Sequence, residues 1–251
     1  MTTSSKPGAH RHGGTFDKHK DHYDELINRS IAFSGLTVDF FTRAKARHLL
    51  ATARRQPGGA RAMDVLDVGC GKGSIHPYLA AEFRSLVGVD VASALLETAR
   101  SANPGVEYRS FDGIRLPFEA SSFDLVFAIC VLHHVPPAGW GSFVAEMHRV
   151  ARKGGLVMLF EHNPWNPLTR YAVGRCEFDE DAVLVRAPRA RALLEEAGLA
   201  DVRAQFIIFA PVEGRLAAFL DRSLGLLPIG AQYFVYGRRI LEEDETEGAG
   251  P

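Results

Sequence analysis

The chain has 251 residues, 46% hydrophobic and 24% charged, which suits one globular domain of generous size or a domain with an appended lid. A formal net charge of −1 gives no electrostatic footprint for nucleic acid, and no uninterrupted apolar run approaches the roughly 18 residues a spanning helix needs. Three scattered cysteines (Cys70, Cys130, Cys176) are too few for a disulfide framework or a zinc site and point to a reducing cytoplasm.

Residues 1–14 are rich in Ser, Thr, Gly and His, lack an apolar signal segment and read as a disordered tail. Of the four histidines near the start (His10, His12, His19, His22), the first two belong to that solvated tail. From Phe16 the pattern turns helical, with Phe16, His19, Tyr23, Leu26 and Ile27 on one apolar face. Ser34-Gly35 interrupts it, and a second helix is expected over Val38–Arg55, stopped by Gln56-Pro57-Gly58-Gly59.

Strands and helices then alternate. Ala62–Val68 is a strand, Ile75–Phe83 a helix, and Ser85–Val89 a second strand ending in Asp90. Ser93 is the expected cap of a helix over Ala94–Ala102. Val106–Ser110 and Phe123–Ile129 are the third and fourth strands. Trp140–Val150 is helical, and Lys153-Gly154-Gly155 turns into a fifth strand, Leu156–Phe160. Asn163–Leu184 reads as an insertion over one end of the sheet. A helix over Ala187–Ala197, a strand over Val202–Ala210, a largely helical Val212–Leu227 and a last strand Gln232–Gly237 follow. An acidic, glycine-rich tail closes the chain. Such alternation predicts an α/β fold with a doubly wound, mostly parallel seven-stranded sheet.

In that topology ligands sit beyond the carboxyl ends of the strands, where strand order reverses. Gly69, Gly71 and Gly73 follow strand one and let a ligand lie against bare backbone N–H groups; Cys70 sits among them. Asp90 ends strand two, where a carboxylate can accept from the vicinal hydroxyls of a ribose. Asp112-Gly113 follows strand three, where a second carboxylate can accept from an exocyclic amine. Val91 can pack on a base, and Asp67 can pair with an ammonium group. Cys130, counted with Cys70 among the cofactor-binding residues, and the His133-His134 pair follow strand four. The turn is Gly-x-Gly-x-Gly, not the Gly-x-Gly-x-x-Gly of dinucleotide binders, and Lys72 lacks the context of a phosphate-binding loop.

Asp67-Val68-Gly69-Cys70-Gly71-x-Gly73, Gly88-Val89-Asp90, Asp112-Gly113, Ser122–Val126, Leu132-His133-His134-Val135 and Lys153-Gly154-Gly155 occur in one order and spacing. Together they resemble the class I S-adenosylmethionine-dependent methyltransferases of the large small-molecule group (methyltransferase type 11-like), over about Met63 to Phe160. The resemblance implies a Rossmann-like methyltransferase fold in which Gly69 and Gly71 hold the methionine part of the cofactor, Asp90 the ribose, and Asp112 and Gly113 the adenine. Lys72 stands where a small Thr or Ser is usual, and Gly113 where Ala is frequent. Phe16-Asp17 with Tyr23-Asp24 resembles the lid helix of these enzymes, which puts Tyr23 near the cofactor. The expected organisation is a tail (1–14), one domain (15–241) and an acidic tail (242–251). Within the domain, 15–60 is a helical lid, 61–162 the cofactor core and 163–241 the substrate side.

Methyl transfer is an in-line displacement for which the protein mainly positions the acceptor, and an oxygen acceptor gains from a general base. His134 is the first candidate and His133 the second, each with a structural alternative in capping or packing the next helix. Glu161 and His162 end strand five and can orient or deprotonate an acceptor, or equally hydrogen-bond the Asn-Pro loop. The acidic run Phe178–Asp181 reads as a helix-starting, solvated turn rather than a metal site, and no metal is expected. The expected function is methylation of a small molecule, most simply at an oxygen of a partly apolar metabolite or a lipid or glycan intermediate, without nucleic-acid partners or membrane insertion. A dinucleotide-dependent oxidoreductase and a non-catalytic S-adenosylmethionine-binding scaffold are the alternatives.

Overall fold

The computed structural model describes residues 23–240, and for Tyr23 and Asp24 the backbone alone. The tails expected over 1–14 and 242–251, the first part of the helical pattern (Phe16–His22), and the side chain of Tyr23 lie outside the described residues.

Seven strands form one sheet: β1 (Asp64–Val68), β2 (Ser85–Asp90), β3 (Glu107–Ser110), β4 (Phe123–Ile129), β5 (Ala151–His162), β6 (Leu199–Ile207) and β7 (Gln232–Arg239). Their order is β3-β2-β1-β4-β5-β7-β6. Only β7 runs against its neighbours, pairing antiparallel with both β5 and β6. The chain steps outward from β1 to β3 and then returns to lay β4 on the other side of β1. The strand-order reversal therefore lies between β1 and β4, and it opens a crevice at their carboxyl ends.

The apolar runs alternate sides with the period of two that a strand imposes. Leu66, Val68, Val126 and Ala128 pack on one face with α4 (Trp140–Val150) and α6 (Ala187–Glu196). Val65, Leu125 and Phe127 pack on the other, with α2 (Val38–Ala53) and α3 (Ser93–Ala102). Three further helices complete the described elements: α1 (Tyr23–Ile31), α5 (Pro167–Val173) and α7 (Gly214–Leu224). None of the described helices is long and apolar enough to cross a membrane.

Several local expectations change. The helix expected over Ile75–Phe83 is two short 3-10 turns, His76–Tyr78 and Ala80–Glu82. Pro77 supplies no backbone N–H, and the buried His76 is fixed through both ring nitrogens. Ser93 is the first residue of α3 rather than its cap; Asp90 Oδ1 instead accepts from the N–H of Ala92 at 2.9 Å. Lys153-Gly154-Gly155 lies inside β5, which starts at Ala151, with the register against β4 shifting between Phe123 and Leu125. There a Cβ on Gly155 would come within 2.9 Å of the Arg152 carbonyl, so the strand passes only with glycine. β6 begins at Leu199, three residues ahead of the expected Val202, and stops at Ile207.

Candidate active site

One cavity of about 730 Å³ occupies the crevice beyond β1, β2 and β4. That lies in the upper part of the ~300–1,000 Å³ range of small-molecule sites. Asp67, Gly69, Cys70, Gly71, Asp90, Val91 and Gly113 border it at one end, and Cys130, His133, His134 and His162 at the other. Residues from five strand ends meet because the parallel topology turns every one of those ends the same way. α1 and the turn after it, α5, and the segment after β6 cover it through Ile27, Phe33, Leu168, Val173 and Phe209.

At the first end, Gly69, Gly71 and Gly73 have φ of +77°, +53° and +70°. Their needs differ. A Cβ on Gly69 would strike Val131 at 2.5 Å, and one on Gly73 would strike Tyr108 Oη at 2.6 Å and His76 Nδ1 at 2.9 Å. A Cβ on Gly71 would meet no protein atom closer than 4.0 Å, so its bare backbone leaves space for something other than this chain. Gly73 does not border the cavity; its place is in the packing beneath it.

Asp67 is 2% exposed. Its Oδ2 lies 3.0 Å from His76 Nε2, and His76 Nδ1 is 2.6 Å from Tyr108 Oη. Its Oδ1 is buried without a hydrogen-bond partner. Burial pushes the Asp67 carboxyl above its usual range against the pull of His76. An orphaned carboxylate oxygen beside a bare-backbone turn fits the ammonium group and amino-acid end of S-adenosylmethionine. Asp90 is held by the N–H groups of Gly71 (2.7 Å) and Ala92, which leaves its remaining lone pairs for a diol. Burial raises its carboxyl too, and those N–H groups act against the rise. Val91 is an exposed apolar side chain at the cavity edge. Beyond it, Gly113 borders the cavity, whereas Asp112 is exposed and its Oδ1 accepts from the N–H groups of Ile114 and Arg115.

At the other end, β4 is followed by Cys130, a non-glycine residue at φ +56°, and a 3-10 turn, Leu132–His134. His133 is buried, with Nδ1 2.6 Å from Glu161 Oε2; the other oxygen of Glu161 accepts from Leu132 N–H at 2.9 Å. Glu161 does not border the cavity and acts through His133. Burial opposes a charge on His133, but Glu161 and Asp179 hold its pKa well above the ordinary imidazole range. Burial likewise opposes the Glu161 carboxylate, and the His133 charge and hydrogen bond keep that carboxyl low. His134 and His162 stand on the cavity wall, and His162 Nδ1 is 3.4 Å from Gln232 Nε2. Cys130 Sγ is 3.9 Å from Lys45 Nζ; burial acts against the thiolate, but Lys45 and His162 bring the thiol down to about 7.

Two parts of this site escaped sequence reasoning. The Asp67–His76–Tyr108 cluster was hidden because His76 fell inside an expected helix. The acidic run, expected as a helix-starting, solvated turn, enters through a 3-10 turn, Glu177–Asp179, with Glu180 and Asp181 exposed, but its Asp179 is largely buried against both histidines. Asp179 Oδ1 lies 3.4 Å from His133 Nε2 and 3.6 Å from His134 Nε2. Among the described residues, these three form a group able to hold a metal ion, where none was expected.

Comparison with known proteins agrees with this geometry. A family model described as a methyltransferase domain matches residues 66–159. An uncharacterized methyltransferase of Synechocystis sp. is 33% identical over 145 residues, covering 55% of this chain and 68% of that protein. The tocopherol O-methyltransferase of Arabidopsis thaliana is 27% identical over 169 residues, covering 61% of this chain and only 43% of its own length. In fold, the chain is similar to an SAM-dependent methyltransferase of Thermotoga maritima. The TM-score is 0.65 at 18% identity, over 91% of this chain and all of that one. The matched span runs from within β1 into the last part of β5, and two thirds of the Synechocystis relative aligns at one-third identity, so the chain belongs to the class I S-adenosylmethionine-dependent methyltransferases.

Proposed function

We propose that the chain transfers the methyl group of S-adenosylmethionine to an oxygen of a small, partly apolar acceptor. The observation that carries this reading is the continuity of one cavity, from the orphaned Asp67 Oδ1 and bare Gly71 to an apolar wall studded with imidazoles. The name of the tocopherol relative, an O-methyltransferase, supports the choice of oxygen.

Bound S-adenosylmethionine supplies a methyl carbon activated by its sulfonium sulfur. The chain does the rest. Asp67 takes the ammonium group, Asp90 the ribose hydroxyls, and Val91 packs on the base beside Gly113. Phe33, Leu168, Val173 and Phe178 give the acceptor an apolar bed and exclude water. Its hydroxyl faces the histidine wall, and the proton goes to an imidazole there, His134 or His162. His133 is not that base: its two nitrogens face Glu161 and Asp179, and it fixes the wall instead. The three cysteines, all free, fit the reducing cytoplasm in which we place the enzyme.

The test is turnover of methyl-labelled S-adenosylmethionine by the full chain with phenols and long-chain alcohols, against amines of matched shape. The expected product is a labelled methyl ether identified by mass spectrometry. Label in amines alone would overturn the oxygen assignment. Binding of S-adenosylhomocysteine without turnover of any acceptor would favour a silent scaffold.

A further inference from the structure

The histidine wall holds more order than a proton acceptor needs. His133 and His134 lie on the 3-10 turn after β4, and Asp179 is brought to them by a turn 45 residues later in the chain. One atom from each of the three lies within 4.8 Å of the other two. The N···O separations, 3.4 and 3.6 Å, exceed the ~2.7–3.2 Å of an N–H···O hydrogen bond. They are those of loose ion pairs, and they also match the edge of a coordination tetrahedron, about 3.4 Å when each ligand sits about 2.1 Å from its metal.

The surroundings are those of a metal ligand set. Glu161 Oε2 at 2.6 Å from His133 Nδ1 fixes the ring and turns Nε2 toward Asp179 and His134. A carboxylate on the far nitrogen is the common outer support of a metal-bound imidazole. Glu161 is itself held by Leu132 N–H, and Trp140 Nε1 donates to the carbonyls of Leu132 and Val135 on either side of the two histidines. Two imidazoles and one carboxylate suit a borderline divalent cation rather than calcium or magnesium. All three residues border the cavity on its acceptor side, so a three-ligand site here would keep an open position facing substrate, as catalytic rather than structural sites do.

We propose that His133 Nε2, His134 Nε2 and Asp179 Oδ1 bind one divalent transition-metal ion, zinc in the first instance, with its open position facing the cavity. The site stands on geometry alone; its use in catalysis rests on the O-methyl transfer proposed above. An ion there polarises an acceptor hydroxyl placed at the open position and eases loss of its proton to His162, which borders the same wall. With His134 engaged as a ligand, His162 becomes the proton acceptor.

The experiment is metal binding by the full chain after treatment with a chelator and dialysis. Co²⁺ is followed by its visible absorption and Zn²⁺ by competition with a chromophoric chelator, in wild type, Asp179→Asn and His134→Gln. The N-terminal histidines are common to all three forms, so the difference isolates this site. Wild type is expected to bind one equivalent more than either variant, with Co²⁺ bands of a low-coordinate site that both variants lose. Affinity at that site should fall by at least roughly a hundredfold in the variants. S-adenosylhomocysteine binding, measured on the same samples, should stay within about threefold and so show that the variants are folded. Equal stoichiometry and affinity in wild type and Asp179→Asn overturns the site. Failure to form a methyl ether would count against the acceptor proposed above, while the metal count decides the site separately.

Discussion

Two aspartates on β1 lie three residues apart and face opposite demands. Asp64, at the amino end, accepts from Arg84 Nε (2.8 Å), Ser85 Oγ (2.7 Å) and Arg152 Nη1 (3.0 Å), with Arg84 Nη2 also against it. Arg152 also reaches Asp124 Oδ2, which in turn accepts from the N–H of Asp64. The hydrogen bond from Arg84 leads the effects that hold the Asp64 carboxyl far below its usual range. Asp67, at the carboxyl end, has one oxygen paired and the other buried alone, and burial drives its carboxyl up. A stable end is one whose polar groups are satisfied within the chain. A binding end leaves a group unsatisfied until a ligand arrives.

The largest expected effect shows that position at the ligand edge does not by itself make a residue a ligand residue. Gly73→Ala places a Cβ at φ +70° against Tyr108, His76 and Asn103, the packing that carries Asp67. Overpacking and left-handed strain together should cost about 3 kcal/mol of stability. Gly71→Ala meets no protein atom within contact and should cost only about 1–2 kcal/mol, from strain alone, while weakening cofactor binding. Denaturant midpoints of the two variants check this; equal losses would erase the distinction drawn between the two glycines.

Next comes Asp90→Ala. It removes the partner of a diol and frees the N–H groups of Gly71 and Ala92. Calorimetry with S-adenosylhomocysteine should show a loss of about 2–3 kcal/mol, near a hundredfold in Kd. An unchanged Kd would move the ribose elsewhere.

The cofactor end was legible in the sequence because its information is local. Each strand end carries its own glycine or acid, and parallel topology alone gathers Gly69, Gly71, Asp90 and Gly113 to one edge. Asp112 follows β3 as expected, and its Oδ1 accepts from the N–H groups of Ile114 and Arg115. The acceptor end was legible only in part. His133, His134 and His162 could be placed from strand ends, but Asp179 reaches them from 45 residues further along the chain, inside the insertion. No periodicity in Asn163–Leu184 records such a contact. His76 was missed for a related reason: its apolar neighbours Ile75 and Leu79 mimic a helix face, while Pro77 and the pull of Asp67 and Tyr108 set the backbone.

A smaller effect tests the orphaned oxygen directly. Asp67→Asn keeps an acceptor for His76 and removes the buried charge. Binding of S-adenosylhomocysteine should weaken by about 1.5–2 kcal/mol, ten- to thirtyfold, the worth of a charge-assisted hydrogen bond. Stability should move the other way. A carboxyl whose folded pKa is raised takes up protons on folding, so it costs stability as pH rises from the unfolded value, about 3.9, through the folded one. Thermal melts at pH 7 should therefore find the variant at least as stable as wild type. A lower Tm would mean that Asp67 is structural after all.

Asp64→Asn is the mirror experiment and the mildest. Its carboxylate is about one-fifth exposed, so the loss should be about 1–1.5 kcal/mol, a few degrees in Tm for a chain of this size. Because the folded pKa of Asp64 is lowered, its contribution is complete above the unfolded value near 3.9 and fades as pH falls toward the folded value. The gap in Tm between wild type and variant should stay constant from pH 7 to about pH 5 and close as pH falls below about 4, with cofactor affinity at pH 7 unchanged. If Asp64→Asn lowered affinity as much as Asp67→Asn does, the two ends of β1 would be coupled. The satisfied end would then be part of the site rather than the rigid base on which it stands.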